Sequence, residues 1–108
     1  MSEYLFIESR HASESDNVQA NLELAASLAK QGQKVTLYLV QNGVLTARKG
    51  AKNNQLSTAA SAGVTLLADD FSLRERGIAT DGLLDNVTPA PLDAVVDFLA
   101  AGAKTIWH

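Results

Sequence analysis

The residues of this chain that could carry chemistry fall in four short runs: Ser9-Arg10-His11, Gln41-Asn42-Gly43, Asp69-Asp70-Phe71 and Trp107-His108. Together they offer a guanidinium, two imidazoles, two adjacent carboxylates and an amide. Adjacent carboxylates can raise one pKa and leave a general acid or base. An arginine or histidine beside them would hold an anionic substrate. Each group also has a plainer reading. A carboxylate of the Asp69-Asp70 pair, placed ahead of a short helix, reads as an N-terminal cap favoured by the helix dipole. His11 reads as solvated in a polar loop, and His108 as a frayed end. Asn42-Gly43 reads as a turn chosen for its backbone angles. Two histidines and two aspartates could ligate zinc, but no HxH or HxxE pairing supports it, so neither metal nor cofactor is expected.

The absences are as informative. The chain has no cysteine, which excludes disulfides, thiolate metal sites and cysteine nucleophiles. It has no GxGxxG, no Walker A and no GxSxG. A phospho-acceptor receiver domain also ends its third strand in an aspartate. It further needs acids after strand one and a lysine after its last strand. Here strand one ends Glu8-Ser9-Arg10 and the sequence stops at His108.

The net charge is -3, and the densest basic group, Arg48, Lys49 and Lys52, reads as a solvated turn. With aromatics at 6%, a nucleic-acid stacking platform is not expected. Met1 to Tyr4 carry no basic region, and Leu5-Phe6-Ile7 is too short for a signal core or a membrane span. A cytoplasmic location is the expectation.

The elements that must position these runs alternate between two periods. The 108 residues suggest a single domain, 1–108. EYLFIES (3–9) and VTLYLV (35–40) read as buried strands, continuous and apolar as in a parallel sheet covered on both faces. VTLLA (64–68) reads as a third strand. Val18, Leu22, Ala25 and Ala29 recur at helical spacing, with Asp16 as the expected cap and Gly32 as the stop. Val44 to Lys49 predict a short helical segment. Asn53 or Asn54 would cap a helix through Ala62 that buries Leu56, Ala59 and Ala60. Ser72 to Arg76 predict a short helix stopped by Gly77. Residues 78–90 hold Gly82, Pro89 and an apolar patch, and leave a short edge strand or a functional loop open. Pro91 suits the first helical position. The stripe Leu92, Val95, Val96, Leu99 predicts a helix facing the core, followed by a last strand at Lys104 to Trp107. Strands alternating with helices imply parallel βαβ units, with four strands clear and a fifth open. In such a sheet ligands bind beyond the carboxyl ends of the strands, and all four chemical runs lie there.

The whole chain resembles the DsrE/DsrF-like family of small proteins, which includes subunits of bacterial sulfur-relay complexes. The likeness is carried by QNGVLTA (Gln41 to Ala47) after the second strand. It is carried also by GVTLLADDFSLRERGI (Gly63 to Ile78), in which a strand runs into a short helix closing on Arg76-Gly77-Ile78. The final apolar helix and short strand match as well. The resemblance implies a flavodoxin-like three-layer α/β sandwich with a mostly parallel sheet of four to five strands. It also implies assembly into dimers, trimers or hexamers and, in active members, persulfide transfer. Counting back from Arg76-Gly77 puts the family cysteine on Asp69. A carboxylate cannot attack a sulfane sulfur or hold it covalently, so a persulfide carrier is excluded.

Three readings follow. The first is a non-catalytic DsrE-like subunit, self-associating or paired with a cysteine-bearing relative. It would bind a small anion or a partner's loop through Ser9, Arg10, His11, Asn42, Gly43, Asp69, Asp70, Arg76 and His108. Apolar Phe71, Leu73, Ile78, Leu83 and Leu84 would supply its contact surface. The second is an enzyme using Asp69 or Asp70 as acid or base. The third is a sensor or carrier using the same pocket without turnover.

Overall fold

The computed structural model describes residues 2–11, 13–50 and 55–108. Its five strands are β1 (Glu3–Glu8), β2 (Lys34–Leu39), β3 (Thr65–Asp69), β4 (Val87–Ala90) and β5 (Lys104–Trp107), and its α-helices are α1 (Asp16–Lys30), α2 (Gln55–Ala62), α3 (Asp70–Glu75) and α4 (Asp93–Ala100). A 3-10 stretch spans Gln41–Ala47 and a single 3-10 turn spans Thr80–Gly82. All strands pair in parallel in one sheet of order β4-β3-β2-β1-β5. The chain steps outward from β1 to β4, then returns past β1 to place β5.

The two faces are covered unequally. On one face α1, α2, Leu73 of α3 and Val44 of the 3-10 stretch bury Phe6, Val35, Leu37, Leu39, Leu66 and Val87. On the other, α4 is the one helix among the described residues that packs on Leu5, Ile7 and Tyr38, chiefly through Val95 and Phe98. This is the α/β sandwich expected, with β4 as the fifth strand. Residues 78–90 thus hold an edge strand, where Pro89 is tolerated because an edge leaves ladder positions open.

Several local expectations are corrected. Ser15, not Asp16, caps α1, its hydroxyl accepting from the Asn17 amide. Asp16 becomes the first helical residue, where its charge still favours the dipole. The helical segment after β2 starts at Gln41 and is 3-10 throughout. The α3 helix begins at Asp70, two residues early, because Asp69 itself is the cap. The expected α2 caps Asn53 and Asn54, and Lys52, lie outside the described residues. In α4 only Val95 of the predicted stripe is buried, while Leu92, Val96 and Leu99 are exposed. The stripe spans two apolar flanks of the helix, and one of them faces away from the core. Leu73 and Leu83 are buried, and Ile78 and Leu84 pack against the core. Of the five apolar residues expected at a contact surface, Phe71 alone is exposed.

Candidate functional site

A cleft of about 560 Å³ opens at the carboxyl ends of β1, β2 and β3. Ser9, Asn42, Asp69 and Arg76 of the expected residues line it, with Gln41 and Ser72. Phe71 and Leu92 add apolar walls and Glu75 a second carboxylate.

Asp69 organises the floor. It is buried at 5% exposure and caps α3. One carboxylate oxygen accepts from the Tyr38 hydroxyl at 3.0 Å. The other accepts from the Ser72 amide at 3.1 Å and the Ser72 hydroxyl at 2.6 Å. The Ser72 oxygen in turn accepts from the Gln41 amide at 2.8 Å. This relay fixes Gln41 at a φ of 54°, the one left-handed non-glycine among the described residues. The backbone there turns sharply from β2 over the cleft.

Tyr38 is fully buried, and its hydroxyl also lies 3.2 Å from the Ala90 carbonyl. Burial first, then the hydrogen bond to Asp69 and the charges of Asp69 and Asp70, push its phenol well above its ordinary range. It stays neutral and serves as a donor to the carboxylate. Arg76 reaches across the cleft rim, donating from Nε and Nη2 to the Asn42 side-chain oxygen at 3.2 and 3.0 Å. Its Nη1 donates to the Ser72 carbonyl at 3.4 Å. Hydrogen bonds thus join the ends of β2 and β3 around one pocket.

The other expected residues fall elsewhere. Asp70 turns outward toward Arg74, 3.8 Å away on the next turn. The two aspartates therefore serve different partners: the inward one is a cap, the outward one a surface pair. His11 is half-buried in the loop before α1, its Nδ1 engaged with Ser13. Arg10 is exposed, and its backbone amide donates to Glu8 at 3.1 Å.

His108 is not frayed. Its amide donates to the Ile7 carbonyl and its carbonyl accepts from the Ser9 amide, both at 2.8 Å, extending the β1–β5 ladder. The Ser9 hydroxyl donates to the same carbonyl at 2.9 Å. The His108 Nδ1 lies 2.9 Å from both carboxylate oxygens of Glu8, a residue only 2% exposed. Gly43 is also there for another reason than its backbone angles. It is buried against the end of β1, and a Cβ on it would overlap the Glu8 carbonyl oxygen.

Sequence reasoning missed Tyr38, Ser72, Glu8 and Leu92 as participants, and named Gln41 only as part of a strand-end run. The Asp69–Ser72 spacing is a cap signal of the Asp-x-x-Ser kind. Glu8 at the end of an apolar strand was a buried charge in need of a partner. Tyr38 gave no signal beyond its place in an apolar strand. Among the described residues no cluster of His, Cys, Asp or Glu could hold a metal ion.

Solved structures share this architecture end to end. The ychN protein from E. coli superposes with a TM-score of 0.86 over 100% of both chains at 21% identity. MTH1491 from Methanobacterium thermoautotrophicum, described as of unknown function, gives 0.83 at 21% identity, again over 100% of both. BT1422 from Bacteroides thetaiotaomicron gives 0.77 at 17% identity, over 99% of this chain and 95% of the other. At these identities the likeness concerns the fold. No match was found among curated proteins. The model of the DsrE/DsrF-like family matches residues 2–107. The chain belongs to the DsrE/DsrF-like family.

Proposed function

We propose that this protein is a DsrE-like subunit that binds and assembles without carrying sulfur. One observation carries the reading. Asp69, at the position the family resemblance assigns to the cysteine, has both carboxylate oxygens occupied by Tyr38 and Ser72. A group so engaged is a structural cap, and it is neither a nucleophile nor a free base. With no thiol anywhere in the sequence, a sulfane sulfur has nothing to attach to. What remains is a cleft of about 560 Å³, within the usual range for a small-molecule site. Arg76 and Asn42 at its rim suit a small anion or a polar loop of a partner protein.

In this reading the protein works in the cytoplasm, as a homo-oligomer (dimer, trimer or hexamer) or together with a cysteine-bearing relative. Among the described residues no helix is long and apolar enough to cross a membrane. The cleft supports a second reading, a sensor or carrier that binds a small anion without turnover. The acid–base enzyme loses support, because Asp69 is engaged and Asp70 faces Arg74.

Native mass spectrometry of the untagged protein, isolated gently from its own cells, tests the proposal. An oligomer, alone or with a cysteine-bearing relative, is the expected result. A retained small mass would favour the second reading. A bare monomer would overturn the assembly, and uptake of a sulfur atom from a sulfane donor would overturn the rest.

A further inference from the structure

The cleft at the ends of β1, β2 and β3 carries a mixture of groups that narrows what it can hold. Apolar walls reach it from both faces of the sheet. Phe71 lies in the first turn of α3, which packs on one face through Leu73, and Leu92 precedes α4, which packs on the other through Val95. Both line the cleft at 57% exposure, large apolar side chains that the fold itself leaves uncovered. An apolar body between them would take both out of water. The polar lining adds one cation and two acids. Arg76 turns its Nε and Nη2 edge to the Asn42 side-chain oxygen, at 3.2 and 3.0 Å. That edge is the fork that takes both oxygens of a carboxylate, and here it holds one neutral oxygen. The acids are Asp69 and Glu75. Asp69 meets neutral donors only, Tyr38 and Ser72. Glu75 has no ion pair among the described residues. The lining thus carries one formal negative charge in excess. A doubly charged anion such as phosphate would be repelled by both acids. A carboxylate that brings its own cation is not: the carboxylate suits Arg76 and the cation suits Glu75.

We propose that the cleft binds an α-amino acid with a large apolar side chain. The ligand carboxylate displaces Asn42 from the Arg76 fork, its ammonium pairs with Glu75, and its side chain lies between Phe71 and Leu92. Glu75 and Arg76 are neighbours in the chain, as the two charges of an amino acid are neighbours on one carbon. Asn42 is exposed, so its released amide returns to water and is not stranded. The inference rests on the reading of the cleft as a small-molecule site and names its ligand.

The test is titration of the full chain with L-phenylalanine, followed by NMR at the backbone amides. The amides of Asn42, Phe71 and Arg76 should shift saturably. A lost charge-assisted hydrogen bond should weaken binding at least about tenfold. 3-Phenylpropionate, which lacks the ammonium, and phenethylamine, which lacks the carboxylate, should each show that loss. Glycine, which lacks the side chain, should bind at least about tenfold more weakly as well. Glu75→Gln should bring L-phenylalanine to the level of 3-phenylpropionate and leave 3-phenylpropionate itself unweakened. Asn42→Asp fills the fork with a resident carboxylate and should weaken L-phenylalanine at least about tenfold. Equal affinity for 3-phenylpropionate and L-phenylalanine, or indifference to Glu75→Gln, would overturn the amino acid while the cleft stands as a small-molecule site. So would saturable binding of inorganic phosphate at the same amides with none of L-phenylalanine. No shift with any of these probes would overturn the amino acid and the small-molecule cleft together, whatever the oligomeric state.

Discussion

Replacing Asp69 with alanine tests whether the position is a structural cap. The substitution removes the acceptor of the Ser72 amide, a lost N-cap worth about 1 kcal/mol. It strands the Ser72 hydroxyl proton in a buried site, which costs about 1–3 kcal/mol. Tyr38 loses less, because the Ala90 carbonyl at 3.2 Å is a ready second acceptor. The expected loss is about 3 kcal/mol. With a urea slope of about 1–1.5 kcal/mol per molar for a domain of this size, the unfolding midpoint should fall by about 2–3 M. Asp69→Asn keeps the shape and one acceptor, and should lose about half as much. Ser72→Ala and the double variant complete a cycle. Because the two side chains share one hydrogen-bond network, they should couple by about 1 kcal/mol or more. An Asp69→Ala loss below about 0.5 kcal/mol, the range of unconstrained surface sites, would refute the cap. Strict additivity with Ser72→Ala would refute the relay.

Two further outcomes follow from the same region. Gly43→Ala should destabilise the fold by about 2 kcal/mol or more, since its Cβ meets the Glu8 carbonyl oxygen; a midpoint shift in urea within error would mean that the 3-10 stretch can simply move away. The raised Tyr38 pKa means the folded state holds this proton more tightly than the unfolded chain. Its contribution is complete below the unfolded value near pH 10 and is lost as pH rises past it. Urea melts from about pH 9 to about pH 11 should therefore fall more steeply for wild type than for Tyr38→Phe, and parallel curves would count against the buried phenol.

The layered fold was legible because it rests on periodicity. Apolar runs such as VTLYLV belong to strands buried on both faces, and Val18, Leu22 and Ala25 mark one helix flank, whatever the tertiary detail. Position at the strand ends was legible for the same reason, and it located Ser9, Asn42 and Asp69. What failed were decisions that depend on a partner in space. The α4 stripe contains two flanks, and period alone cannot say which of Val95 and Val96 faces the sheet when both sides of a helix are apolar. At Gly43 the local signal is one of backbone angles, whereas the constraint is the neighbouring strand. The local sequence around His108 suggests a frayed end, because nothing in it indicates that Glu8, a hundred positions away, is buried beneath its ring.

The arrangement around Asp69 explains how such a site can change its chemistry while keeping its architecture. The end of a parallel strand running into a helix presents an unpaired amide, here that of Ser72, and a nearby hydroxyl. These donors stabilise whatever anion occupies the turn. A thiolate there would be held reactive, with its pKa lowered by the same helix start. A carboxylate satisfies the donors equally well, and its second oxygen reaches one more, the Tyr38 hydroxyl. The exchange therefore removes the nucleophile without leaving a buried group unpaired. In this fold the cleft around Asp69 stands without a thiol at the turn.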